Sequence, residues 1–163
     1  MEIAIISDTH LPRGSRALPA ACVHRLKAAD LIIHAGDFSR LEVLEELKAF
    51  GPVIGVYGNT DDVRLRAALP ETTVIAVADR AKLAVIHDAG AAPARLRRLR
   101  ARFPGADAVV FGHSHIPLHE RAPDGFQIFN PGSPTDRRRQ PRSTMGACRV
   151  RGGHLEFELV NLD

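Results

Sequence analysis

The sequence predicts an α/β fold in which strands alternate with helices over the first two-thirds of the chain. Two observations lead to this prediction: short apolar, β-branched runs recur along the chain, and helical patterns separate them. A length of 163 residues fits one domain, so we expect residues 1–163 to form a single domain. Hydrophobic residues make up 45% of the chain, which is enough for a core and excludes a disordered or fibrous protein.

Ten apolar runs are predicted to be strands. Helical patterns connect the runs in the first two-thirds of the chain. Turn residues separate the later runs, which are typical of hairpins. The first group covers residues 3–6, 31–33, 53–57, 74–77, 83–86 and 108–111. The second group covers residues 116–121, 126–129, 145–150 and 155–160.

Two helices are predicted between these runs. Leucines at helical spacing over 41–47 follow an S-x-x-E capping box formed by Ser39 and Glu42, and Gly51–Pro52 ends the pattern. A second apolar stripe over 96–103 is surrounded by arginines. We interpret those arginines as a solvated helix face rather than a phosphate-binding patch.

Charge and cysteine content exclude several classes of protein. The net charge is +3, and arginine supplies nearly all of the positive charge. Aromatic residues are only 5%, so the composition does not indicate a nucleic-acid partner. Cys22 and Cys148 are far apart and outside any C-x-x-C motif, which argues against a disulfide framework or a thiolate zinc site. Without a long apolar window or a signal-peptide pattern, we expect a cytoplasmic protein with no membrane partner.

Polar side chains directly follow five of the apolar runs. In α/β sheets the carboxyl ends of strands line the ligand crevice, so residues more than a hundred positions apart can converge there. Pairs two residues apart in extended chain point to the same side and can share a metal. The residues with metal-ligand chemistry at these positions are Asp8, His10, Asp37, Asn59, His87, His113 and His115.

This set predicts a centre of two metal ions. It contains imidazole, carboxylate and amide ligands but no thiolate, which favours a transition metal such as Mn, Fe, Co, Ni or Zn over Mg or Ca. Seven side chains are too many for one tetrahedral ion. Two divalent ions would keep a positive charge after the carboxylates of Asp8 and Asp37 are counted, and that charge suits phosphoester hydrolysis.

The ordered motifs D-x-H, G-D, G-N-x-D, H and G-H-x-H resemble those of the calcineurin-like metallophosphoesterase superfamily. The small size and the segment 130–133 resemble its small bacterial and archaeal phosphodiesterase branch. The resemblance implies a four-layer α-β-β-α sandwich with metals at the strand ends. It also implies a dinuclear phosphodiesterase that hydrolyses a small phosphoester by in-line attack of a metal-bridging hydroxide. Manganese is the first expectation for the metal, with Ni, Fe, Co and Zn as alternatives.

The resemblance also distributes roles among the residues. It gives one metal Asp8, His10 and His115, the other metal Asn59, His87 and His113, and makes Asp37 the bridge. Catalytic roles are expected for Asn59, Asp61 and His113, with Asp61 orienting a ligand or holding substrate and water. Ser133 and Arg13 are candidate phosphate contacts, since hydroxyl and guanidinium groups both donate to phosphate oxygens. His34 is expected to support the site or the core rather than to bind metal.

Two positions depart from the family pattern. Thr60 stands where several members carry a histidine that is a candidate general acid, so protonation of the leaving group is unassigned and activated leaving groups should be preferred. Asp88 follows His87 where small phosphodiesterases often read H-G-H. It could repel phosphate or hold a histidine of the site.

Three other functions stay open at this point. A phosphomonoesterase or nucleotidase would use the same chemistry. A non-catalytic scaffold similar to the retromer subunit of this superfamily would be favoured by degraded ligands, and none of the seven positions is degraded. A nuclease subunit would need extra segments to grip DNA. The hairpin edge in the last third could also pair two copies of the chain as a homodimer.

Overall fold

The computed structural model describes residues 1–163 except for the side chain of Asp79, and in this part of the chain two five-stranded sheets lie between helices. The strands are β1 (Glu2–Ile6), β2 (Leu31–His34), β3 (Val53–Gly55), β4 (Thr72–Ala76), β5 (Lys82–Ile86), β6 (Ala108–Val110), β7 (Leu118–Arg121), β8 (Gln127–Asn130), β9 (Thr144–Arg151) and β10 (His154–Asn161). The helices are α1 (Ala20–Ala28), α2 (Leu41–Lys48), α3 (Val63–Ala68) and α4 (Arg95–Arg102), with a short 3₁₀ helix at Ala78–Arg80.

The first sheet has the strand order β10-β9-β1-β2-β3. Its centre is parallel, because α1 and α2 return the chain so that β1, β2 and β3 run in the same direction. The hairpin of β9 and β10 adds two antiparallel strands beside β1. The sheet therefore combines the predicted βα pattern with the predicted C-terminal hairpin.

The second sheet has the order β4-β5-β6-β8-β7. Strands β5, β6 and β8 are parallel, whereas β4 and β7 pair antiparallel with their neighbours at the two edges. Helix α4 covers the outer face, where Leu99 and Phe103 pack against Ile86 and Phe111. The carboxyl ends of β5 and β6 consequently lie at one end of this sheet.

Alternation along the strands separates three apolar layers. On β1, Ile3 and Ile5 enter the core between the two sheets, whereas Ala4 and Ile6 face the outer layer with α1 and α2. Val85 and Val110 reach the central core from the second sheet. The result is the predicted four-layer α-β-β-α sandwich.

The predicted capping box at Ser39 and Glu42 is wrong. Helix α2 begins at Leu41 after Arg40, and no side chain caps it. The N–H of Ser39 donates instead to Asp61 Oδ1 at 2.7 Å, and Glu42 pairs with Arg64 at 2.6 Å. Ser39 therefore forms a tertiary hydrogen bond with Asp61 instead of capping helix α2.

Two further differences concern segments that the sequence described only coarsely. The predicted strand over 53–57 ends at Gly55, and the helix α3 that follows was not predicted. The carboxylate of Asp62 accepts from the Leu65 N–H and caps this helix. Cys22 and Cys148 are free and buried, as small core side chains.

The arginines of α4 serve mainly the fold. Arg95 and Arg98 donate to backbone carbonyls over 89–91, and Arg100 pairs with Asp124 at 2.7 Å. The interpretation of a solvated face rather than a phosphate-binding patch stays a prediction. None of the helices in the described part of the chain has the length and apolar character needed to cross a membrane.

We expect substitutions in the core between the two sheets to cause the largest loss of stability. Phe129 is fully buried and stacks on Phe157 with ring centroids 4.8 Å apart. We expect Phe129→Ala to lower the free energy of unfolding by about 3–5 kcal/mol, measured by urea titration. Val74→Ala on the exposed edge strand β4 should change it by less than about 0.5 kcal/mol. Equal losses in the two variants would contradict this assignment of the core.

Candidate metal centre

Loops from both sheets meet at the carboxyl ends of five strands, β1, β2, β3, β5 and β6. Asp8 follows β1 and its N–H donates to the carbonyl of Gly36, the residue before Asp37, at 2.9 Å. In the second sheet, the N–H of Gly112 donates to the carbonyl of His87 at 3.0 Å. These bonds join neighbouring loops and hold their side chains at one end of the sandwich.

A first group of ligands consists of Asp8, His10 and His115. Nε2 of His115 lies 3.4 Å from Asp8 Oδ1, and Nε2 of His10 lies 3.2 Å from Nε2 of His115. Two imidazole nitrogens this close need a shared proton or a cation between them, since their lone pairs repel each other. The arrangement is that of a metal-binding group.

A second group consists of Asp8, Asp37 and His87. Oδ2 of Asp37 lies 3.4 Å from Nε2 of His87 and 3.6 Å from Nε2 of His10. Asp37 therefore contacts a histidine of each group, and Asp8 belongs to both groups, so both carboxylates lie between the two sets of imidazoles.

Asn59 and His113 complete the cluster. Oδ1 of Asn59 lies 3.1 Å from Nε2 of His87 and 3.0 Å from Nδ1 of His113. The backbone N–H of His113 donates to Asp8 Oδ2 at 3.0 Å. The structure thus brings all seven ligands expected from the sequence to one place.

The ring orientation of two histidines fits a metal ion. Nδ1 of His87 donates to the carbonyl of Ala35 at 2.7 Å, and Nδ1 of His115 donates to the carbonyl of Asp136. With the ring proton on Nδ1, each Nε2 offers its lone pair to the centre. Metal-binding histidines are commonly oriented in this way.

Backbone conformation marks the same residues. Asp8, His10, Asp37, His113 and His115 all have positive φ, between 46° and 68°. They account for five of the nine non-glycine residues with positive φ in the described chain. Such conformations cost free energy and concentrate at functional sites, so this clustering is an independent sign of a site.

Burial and hydrogen bonding set the charges of the cluster. Burial raises the pKa of Asp8 to about 7 and lowers the pKa of His115 to about 4. Burial acts against ionisation of Asp37 as well, but its contacts with His87 and Thr60 hold its pKa below the usual value. A neutral His115 and an ionised Asp37 are the forms that bind a cation.

His34 belongs to the core rather than to the ligands. Its Nδ1 accepts from the Gly36 N–H at 3.2 Å, so Nε2 carries the proton and donates to Thr9 Oγ1 at 3.0 Å. The ring stacks on Phe38 with a centroid separation of 3.5 Å. Both nitrogens are used, which leaves none for a metal.

Asp61 organises the loops that carry the ligands. Its carboxylate accepts from the N–H groups of Asp37, Ser39 and Gly58 at distances of 3.1, 2.7 and 2.7 Å. These bonds fix Asp37 against the loop over residues 56–62, which fits the orienting role expected of Asp61, and its catalytic role stays a prediction.

The expected phosphate contacts Ser133 and Arg13 lie outside the cluster of side chains. The Ser133 hydroxyl is buried, donates to the Asp8 carbonyl at 2.8 Å and accepts from the Asp136 N–H at 2.8 Å. The Ser133 hydroxyl therefore holds the loop in which the carbonyl of Asp136 orients His115. Arg13 is exposed, and its guanidinium makes no hydrogen bond or ion pair with the side chains that the structure describes.

The two positions that depart from the family pattern have defined surroundings. The Thr60 N–H donates to Asp37 Oδ1 at 2.9 Å, and its hydroxyl lies 3.4 Å from His10 Nδ1. Asp88 is exposed and accepts from the Gly90 N–H at 2.7 Å, which forms a local turn. Asp88 therefore does not hold a histidine of the site.

Two glycines are required by the close approach of the loops. A Cβ at Gly112 would collide with Ser7 Oγ and come within 2.7 Å of Asp8 Oδ2, and one at Gly58 would collide with the Asp37 carboxylate. Both have ordinary φ values. Glycine is therefore needed at both positions to leave space for the ligand side chains.

A four-layer sandwich with a histidine, aspartate and asparagine cluster across its strand ends is the architecture of a metallophosphoesterase. Residues 1–153 match the model of the calcineurin-like phosphoesterase superfamily domain, and the chain belongs to that superfamily. A probable metallophosphoesterase of Methanocaldococcus jannaschii is 38% identical over 138 residues, covering 83% of this chain and 69% of the relative. One from Methanothermobacter thermautotrophicus is 32% identical over 162 residues, covering 98% of this chain and 92% of the relative.

Solved structures show the same fold. Wild-type Vps29 of Entamoeba histolytica in complex with Zn²⁺ superimposes with a TM-score of 0.78 over the whole of both chains, at 22% identity. A protein characterised as an archaeal phosphodiesterase has a TM-score of 0.74 at 22% identity, covering 98% of this chain and all of its own. At these identities the likeness establishes the fold.

The space around Asp8 generates a prediction about Gly112. We expect Gly112→Ala to displace the carboxylate, lowering stability by about 1–3 kcal/mol and weakening Mn²⁺ binding about 10–100-fold. Thermal unfolding and calorimetric titration with Mn²⁺ measure the two effects. In the control Gly51→Ala, the nearest atom lies 3.9 Å from the new Cβ, so both quantities should stay near wild type. Unchanged Mn²⁺ affinity in Gly112→Ala would contradict the role of Asp8.

Proposed function

We propose that the chain is a metal-dependent phosphodiesterase that uses two divalent transition-metal ions, manganese first among them. The observation that carries this proposal is the convergence of seven candidate ligand side chains, five of them on left-handed backbone, at the strand ends of both sheets. One ion would be held by Asp8, His10, Asp37 and His115, and the other by Asp37, Asn59, His87 and His113.

Two divalent ions held there would supply hydroxide near neutral pH and neutralise the oxygens of a phosphate group. The protein residues orient and balance this charge. Asp37 and Asp8 contribute the negative charges, whereas carbonyl groups fix the rings of His87 and His115. Asp61 holds Asp37 in place through its backbone N–H.

A diester substrate is supported by the space beside the cluster. A cleft of about 500 Å³ opens next to Asn59, His87 and His113. A phosphodiester carries two ester groups, and the second would need room of this kind. The archaeal neighbour characterised as a phosphodiesterase has the same fold and supports the same choice.

The proposal predicts turnover that depends on added metal. We expect the metal-free protein to hydrolyse bis-p-nitrophenyl phosphate after addition of Mn²⁺, and faster than p-nitrophenyl phosphate. Parallel assays with Ni²⁺, Co²⁺, Zn²⁺ and Mg²⁺ would rank the metals. Asp37→Asn should lower kcat at least about 100-fold, because the charge between the two ions is lost.

Asp30→Asn is the matched control, because this exposed residue lies at the amino end of β2, away from the ligands, and accepts from the Glu2 N–H at 2.7 Å, a bond that asparagine can keep. It should retain wild-type turnover. Faster hydrolysis of the monoester would favour a phosphomonoesterase. Two ions bound without turnover of either ester would contradict the enzyme and support a scaffold similar to Vps29, and a failure to bind any ion would contradict the metal centre itself.

Thr60 leads to a prediction about the leaving group. Neither its hydroxyl nor its N–H can supply a proton as readily as an imidazolium near neutral pH, so turnover should depend steeply on the acidity of the leaving alcohol. We expect p-nitrophenyl esters to react at least about 100-fold faster than the corresponding ethyl esters. A plot of log kcat against the pKa of the leaving alcohol measures this dependence. Thr60→His should flatten the plot and Thr60→Ser should not; a flat plot for wild type would reveal another acid.

A further inference from the structure

The cleft beside the cluster contains an arginine that the metal chemistry does not use. Its walls include Tyr57 and Arg66 together with the site residues Asn59 and His113. Arg66 lies on α3, one turn after the loop that carries Asn59. Any ester group of a substrate that enters the cleft therefore comes within reach of this side chain.

The guanidinium of Arg66 is held in place on one side only. Its Nε donates to the Asp61 carbonyl at 3.0 Å, and its Nη2 donates to the Asn59 carbonyl at 2.8 Å. It also lies over the ring of Tyr57, with Cζ 5.2 Å from the centroid. These contacts leave both N–H groups of Nη1 available on a side chain whose orientation is already fixed.

The charge of Arg66 has no carboxylate partner within 4.0 Å among the side chains that the structure describes. The two acids of the cleft have other contacts: Glu71 lies 3.9 Å from Arg102, and Asp88 accepts from the Gly90 N–H. A cation that is held rigidly, lacks a counter-ion and borders a cleft is suited to bind an anion from solution.

We propose that Arg66 determines substrate specificity by binding a second anionic group, a carboxylate or a phosphate, on the ester substituent that occupies the cleft. This inference rests on the proposed phosphodiesterase function, because the first phosphate must be held at the metal ions. Asp88 and Glu71 line the same cleft and repel anions, so a single anionic group placed at Arg66 is favoured over a uniformly acidic substituent.

Binding of non-hydrolysable probes to the Mn²⁺-loaded protein tests the inference without relying on turnover. The probes are 3-phosphonopropionate and 6-phosphonohexanoate, each compared by calorimetry with the alkylphosphonate of the same length, and ethane-1,2-diphosphonate for a phosphate-type second group. At least one anionic probe should bind about tenfold more tightly than its alkyl partner, since a charge-assisted hydrogen bond is of that order. The chain length that gives the largest gain measures the reach to Arg66.

Arg66→Gln should reduce this preference to about twofold or less, whereas Arg102→Gln in the same cleft should retain it. A merely structural role would weaken both members of each probe pair equally and leave their ratio unchanged. The inference is overturned if no anionic probe is preferred by wild type, if the preference survives in Arg66→Gln, or if it disappears in Arg102→Gln. If alkylphosphonates do not bind the metal-loaded protein at all, the proposed function fails first.

Discussion

The whole site depends on the buried carboxylate of Asp8, which joins the two sheets at their strand ends. Its side chain accepts from Ser7 and from the His113 N–H, and its backbone carbonyl accepts from Ser133. Its N–H donates to Gly36 in the next loop. One residue therefore connects β1, β2, β6 and the loop after β8, and any shift of Asp8 moves ligands on both sheets.

This junction is costly for the isolated chain. Left-handed backbone at five non-glycine residues costs about 1–3 kcal/mol for each residue, and a buried carboxyl adds the cost of lost hydration. A domain of this size has a net stability of about 5–15 kcal/mol, so the cost at these residues is a large fraction of the net stability. Packing in the rest of the sandwich must offset this cost. Cations between the carboxylates and imidazoles would recover part of the cost, because the ligands are already arranged to receive them.

The α/β alternation and the ligand cluster were predictable from short-range sequence patterns, whereas the four layers were implied by the resemblance to the superfamily. Apolar runs give the strands, and polar residues directly after five of them mark the strand ends. What the sequence did not reveal depends on contacts between distant segments. The Ser39 N–H donates to Asp61, and the predicted capping box does not form. The hydroxyl of Ser133 donates to the carbonyl of Asp8, which is 125 positions away. A sequence motif shows which residue is present, but it does not show which distant group forms a hydrogen bond with that residue.

The Gly58 loop, residues 56–62 between β3 and α3, carries a candidate metal ligand and also holds Arg66. It presents Asn59 to the cluster and its backbone carbonyls to Arg66, while Asp61 ties it to Asp37. A ligand drawn toward Arg66 would thus act on the same rigid turn that positions two metal ligands. Arg66 and Asp61 are fixed by backbone groups rather than by each other's charge, so their arrangement does not depend on an ion pair between them. Such preorganisation lets binding energy from a distant part of the substrate favour correct placement of the phosphate at the reacting centre.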